Sequence, residues 1–90
     1  MARHRAIHRK DITKDALVAE AKRYGARVLD LDGAIDALVW HRGHLLMVDW
    51  KRPGGKLTPT QERLIELGWP LHLVSTSQEL RSLLFPGVSS

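Results

Sequence analysis

The stretch that most constrains this chain runs from Ile35 to Lys51 and reads I-D-A-L-V-W-H-R-G-H-L-L-M-V-D-W-K. Apolar, β-branched and aromatic residues run up to Arg42-Gly43 and resume directly after it, which is the pattern of two antiparallel strands joined by a tight turn. Side chains alternate faces along a strand, so Asp36 shares a face with Leu38 and Trp40, and Asp49 shares one with Leu45, Met47 and Lys51. The second strand is apolar on both faces, with Leu46, Val48 and Trp50 opposite Leu45 and Met47. Such a strand is expected to be covered above and below. An aspartate and a lysine in the middle of a buried strand are costly unless they pair or hold a metal ion.

Two acids on neighbouring strands, the second in an acid-x-lysine triplet, resemble the active site of the PD-(D/E)xK nucleases. Ile35-Asp36 stands where that family has Pro-Asp, and Asp49-Trp50-Lys51 stands at the (D/E)xK. The run that follows, Lys51-Arg52-Pro53-Gly54-Gly55-Lys56-Leu57-Thr58-Pro59-Thr60-Gln61, is similar to the string after the catalytic lysine in the small VRR-NUC (virus-type replication-repair nuclease) branch, which includes short phage proteins. The resemblance covers roughly Asp11 to Leu84. It implies a restriction-endonuclease-like α/β fold and a Mg2+-dependent endonuclease, with Mn2+ able to substitute, that cuts duplex or branched DNA such as four-way junctions.

In that reading Asp36 and Asp49 hold the cation, because Mg2+ prefers oxygen ligands, and Lys51 sits by the scissile phosphate to orient or activate water. Many such nucleases add an acid from the first helix. Asp15 is the first choice here, with Asp11 and Glu20 as rivals, and a helix-dipole role explains Asp15 equally well. Gln61 matches the family's glutamine, although a helix cap also accounts for it. Proline replaced by Ile35, and Asp49 in place of the commoner glutamate, motivate the alternative of a catalytically inactive DNA-binding module with the same fold. An RNA-directed nuclease is a third reading.

Charge points the same way. The chain of 90 residues carries a net +4, and the excess is clustered. Arg3, Arg5, Arg9 and Lys10 crowd the first ten residues, and Arg42, Arg52 and Lys56 lie near the hairpin and the loop after it. All are candidate phosphate contacts. The bland alternative for residues 1–10 is a solvated basic arm. The absence of cysteine excludes disulfides and thiolate zinc sites. No apolar run reaches the roughly 18 residues of a membrane span, so a cytoplasmic protein without membrane contact or small-molecule cofactor is expected.

The rest of the chain divides into a basic arm at 1–10, one domain at 11–85 and a tail at 86–90. A first helix is expected from Asp11 or Thr13 to Tyr24, ended by Gly25, then a strand over Ala26–Leu31 and a turn at Asp32-Gly33. Thr58, Pro59 and Gln61 form a capping-box start for a second helix with Leu64, Ile65 and Leu67 as its buried stripe. Leu71–Val74 makes a fourth strand, parallel to its neighbour after the helical crossover. Thr76 to Glu79 opens a last helix carrying Leu80, Leu83 and Leu84. The expected order is α-β-β-β-α-β-α, a mixed four-stranded sheet flanked by helices. His41 and His44 flank the turn without a third ligand to complete a metal site. Trp40, Trp50 and Trp69 suit core or subunit contacts, or stacking on bases. Three tryptophans exceed what so small a core readily buries, and together with the resemblance this leads us to expect a homodimer.

Overall fold

A computed structural model describes residues 14–87. The basic arm lies outside the described residues, as do Asp11 and the last three residues of the tail. Helix α1 occupies 14–23 of the described chain. It is followed by β1 (Arg27–Asp30), β2 (Ala37–His41), β3 (His44–Trp50), α2 (Pro59–Glu66), β4 (Leu71–Val74) and α3 (Ser77–Leu84). The order is the expected one. The four strands form a single mixed sheet in sequence order, β1 to β3 antiparallel and β4 parallel to β3 after the α2 crossover. Among the described residues no helix is long and apolar enough to cross a membrane.

Local chemistry sets most element ends. Arg42 and Gly43 both take positive φ, 51° and 83°, the two-residue hairpin turn whose twist matches that of the flanking strands. The Thr58 hydroxyl accepts from the Gln61 backbone N–H while the Gln61 side-chain Oε1 accepts from the Thr58 N–H. Thr76 and Glu79 repeat the device at α3, with Glu79 also accepting from Ser75. Each such cap contributes about 1 kcal/mol.

The core lies on one side of the sheet only. Ala37, Val39, Val48, Trp50 and Val74 point towards α1 and α3, where Leu17, Ala21, Leu80 and Leu84 seal them. The two helices are tied together by Glu20, whose carboxylate accepts from the Tyr24 hydroxyl at 2.6 Å and the Ser77 hydroxyl at 2.5 Å, with Arg81 near by. Helix α2 adds nothing to this core. It packs on β4, and its one buried residue, Gln61, lines a recess on the opposite side of the sheet.

Two expectations about burial are corrected. β3 is covered on one face, not two, since Leu45 stands 60% exposed while Val48 is sealed. The stripe expected on α2 is not buried either: Ile65 and Leu67 are exposed and Leu64 only half-buried, because α2 meets the sheet at its β4 edge and leaves that side of the helix open.

Candidate functional site

The recess opens at the end of β3 and has a volume of about 770 Å³. The loop 33–36, the loop 51–56 and the start of α2 form its walls, and Asp36, Asp49, Lys51, Arg52, Lys56 and Gln61 all line it. Alternation along β3 sends Val48 and Trp50 to the covered face and Asp49 to the other. Asp36 directly precedes β2. Its Oδ2 accepts from the Trp50 N–H at 2.9 Å, which continues the pairing of β2 with β3 through a side chain and fixes this carboxylate next to Asp49. The Lys51 N–H in turn donates to the Val74 carbonyl at 2.9 Å, so β4 holds the lysine backbone in place.

Electrostatics distinguish the two acids. Burial pushes the Asp36 carboxyl above the usual aspartate range, partly offset by the Trp50 N–H, and the neighbouring Asp49 carboxylate raises it further. The Lys14 charge on α1 acts in the opposite sense. Asp49 is buried, and its Oδ2 pairs with Lys51 Nζ at 3.1 Å. The two carboxyls lie within hydrogen-bond reach of each other. Two carboxyls crowded together in one recess supply the oxygen donors that suit a hard divalent cation such as Mg2+ or Mn2+. The Trp50 indole N–H is buried without a partner among the described residues.

The loop after Lys51 is built from its own residues. The Gly55 N–H donates to the Arg52 carbonyl at 2.8 Å, with Pro53 and Gly54 in the middle of the turn and Gly54 at φ 81°. This is a type II turn, with proline at its first central position and glycine at the second, where φ must be positive. A Cβ on Gly55 would come within 2.9 Å of the Arg52 carbonyl oxygen. The turn thereby keeps Arg52 and Lys56 on the recess rim.

The structure brings together Asp36, Asp49, Lys51, Gln61, Arg52 and Lys56, and it does not bring the other expected residues to them. Asp15 is exposed, and among the described residues no three His, Cys, Asp or Glu side chains cluster as a metal site. The helix rotation that buries Leu17 and Ala21 turns Asp15 to solvent, while Glu20 is used by Tyr24 and Ser77. Arg42 sits at the far end of the seven-residue β3, about 20 Å from the recess at strand rise, with its guanidinium over the Phe85 ring. His41 is a core residue. Its Nε2 donates to the Tyr24 carbonyl at 3.2 Å and its ring meets Phe85 edge-on. Arg3, Arg5, Arg9 and Lys10 lie outside the described residues. Sequence reasoning missed Lys14, and no local signal marks it, because its approach to Asp36 depends on how α1 docks. It also missed the second bond of Gln61, whose Nε2 donates to the Ala34 carbonyl at 2.9 Å and pins α2 to the loop carrying Asp36.

No protein-family model matches the chain, and comparisons with curated proteins and with solved structures likewise find no match.

Proposed function

We propose that this chain is a divalent-cation-dependent endonuclease of the PD-(D/E)xK type, hydrolysing DNA phosphodiester bonds with a preference for branched or four-way-junction substrates. The observation that carries the proposal is the crowding of Asp36 and Asp49 in one recess, with Asp36 raised by burial and by its neighbour. Carboxylates held this way destabilise a fold unless a ligand uses them. Asp36 and Asp49 would hold Mg2+ or Mn2+, and a bound ion supplies Lewis acidity towards the phosphate and acidifies water in the recess. Lys51 places an ammonium beside the reacting phosphate and offsets its growing charge. Arg52 and Lys56 on the rim bind neighbouring phosphates and set the register of the strand without reading its sequence.

One observation favours a second reading, a DNA-binding module without catalysis. Lys51 is already engaged by Asp49, and a buried ion pair needs no substrate to explain it. The two readings diverge on Asp36→Asn, Asp49→Asn and Lys51→Ala, each tested by melting and by cleavage of linear, flapped and four-way-junction DNA and of RNA, with Mg2+, Mn2+ or EDTA. The nuclease reading expects a metal-dependent cut by the parent chain and folded variants that bind DNA without cutting it. If the parent cuts nothing, and loss of Asp49 or Lys51 costs about 3–5 kcal/mol by stranding a buried charge, the binding module stands instead.

A further inference from the structure

The sheet face opposite α1 and α3 is bare over β1, β2 and the first half of β3, and its side chains lie in rows set by the register. Arg27, Trp40 and Leu45 form the first row, and Leu29, Leu38 and Met47 the second. Leu29, Trp40 and Leu45 are 59%, 47% and 60% exposed, and Arg27 beside the indole is exposed as well. Asp30, paired with Ala37, belongs to the covered face, so the only charge in the two rows is the Arg27 guanidinium. Outward positions of a solvated antiparallel sheet are normally polar; here an indole and leucines stand open with one cation among them. An aromatic plane on an apolar floor with a cation at its side suits a partner that has flat π-faces and regularly spaced negative charge.

We propose that this patch is a stacking platform for single-stranded DNA: an unpaired base lies on Trp40, the Arg27 guanidinium meets an adjoining phosphate, and the strand runs along the sheet to the recess. Charge supports that occupant. The chain carries a net +4, Arg27 stands at one end of the face, and Arg52 and Lys56 line the recess at the other. A polyanion laid along the sheet therefore meets positive charge at both ends. Asp36 is four residues from Trp40, about 13 Å at strand rise, or about four nucleotides at the ~3.4 Å spacing of a stacked strand. Duplex DNA cannot use the platform, because its base faces are already stacked on one another, whereas a flap or a splayed arm presents them. Stacking tolerates any sequence, since every base has a π-face, so the patch selects unpaired structure and not a motif. Delivery of the strand to the recess rests on the nuclease reading; binding on the sheet face does not.

The test is fluorescence anisotropy of a labelled oligothymidine of about 12 nucleotides, and of a duplex of equal length, titrated with the full chain in EDTA. Trp40→Leu, Trp40→Tyr and Arg27→Gln are compared with the parent, each checked by melting and by light scattering. The parent should bind the single strand. Trp40→Leu should weaken that binding on the order of tenfold to a hundredfold and leave duplex binding nearly unchanged, while Trp40→Tyr, which keeps a ring, should recover most of the loss. Arg27→Gln should flatten the slope of log affinity against log salt by about 0.7, the loss of one phosphate contact on a single strand. A parent that binds no oligothymidine overturns the platform, as does a Trp40→Leu variant that binds it as the parent does or loses the duplex equally. A dimer that separates in Trp40→Leu with oligothymidine affinity unchanged gives the face to a second copy and overturns the platform too. Should Trp40→Leu unfold, an unchanged salt slope in Arg27→Gln overturns it. The outcome is separate from cleavage: a chain that cuts nothing with Mg2+ but loses the single strand in Trp40→Leu keeps the platform, and one that cuts junctions while Trp40→Leu binds the strand as before does not.

Discussion

The two faces of one four-stranded sheet carry similar side chains and meet opposite fates. On one, Val39, Val48 and Val74 are sealed under Leu80 and Leu84; on the other, Leu29, Trp40 and Leu45 stand open. Apolarity says that a surface gains about 25 cal/mol for each Å² removed from water. It does not say which chain supplies the cover. Here both α1 and α3 dock on the first face, and only α2, at the β4 edge, reaches the second. The sealed face provides stability, while the open one carries the carboxylates, the recess and the patch. A site needs access, and this chain concentrates its access on one side.

That contrast can be broken most forcefully at Leu80, one of the largest fully buried side chains. Leu80→Ala should cost about 2–5 kcal/mol in a denaturant melt by opening a cavity under α3, and a loss below about 1 kcal/mol would show that the helix-covered face is not where stability resides. A smaller effect is expected at Glu20, which joins the helices over that face. Glu20→Gln should cost about 1–2 kcal/mol by weakening hydrogen bonds to a charged acceptor. Hydrogen bonds from Ser77 and Tyr24 hold the Glu20 carboxyl below its usual range. Its contribution is therefore present above the ordinary glutamate value and lost as pH falls through the depressed one. Melting against pH should show this acid loss in the parent and not in the glutamine variant. The smallest effect has the opposite sign and belongs to the open face. Asp36→Asn keeps the acceptor for the Trp50 N–H and removes a buried charge facing Asp49, so it should gain about 0.5–1 kcal/mol without metal. A destabilised variant would mean that the recess is built for stability.

How far this was legible in the sequence depends on the range of the interaction. The turn at Arg42-Gly43 and the Thr58 and Thr76 caps follow from contacts within four residues, and all are where the pattern puts them. The meeting of Asp36 with Asp49 was also readable, since strand alternation and one tight turn bring them together. The cover of each face was not, because β3 is equally apolar on both sides and only helix docking breaks the tie. Arg42 was misplaced for a similar reason: its partner, Phe85, lies at the end of α3, far away in sequence. Asp15 depended on the rotation of α1, which Leu17 and Ala21 decide by their burial.

In the proposed function Asp36 and Asp49 would form a cation site, with Asp49 more than one half of an ion pair. Calorimetric titration with Mn2+ of the parent chain, Asp49→Asn and Lys51→Ala, all checked for folding, tests it most directly. A cation site there would give binding by the parent, loss of binding in Asp49→Asn, and binding at least as tight in Lys51→Ala, where the Asp49 oxygen now held at 3.1 Å is released. No binding by the parent chain, or binding unchanged by Asp49→Asn, would contradict it.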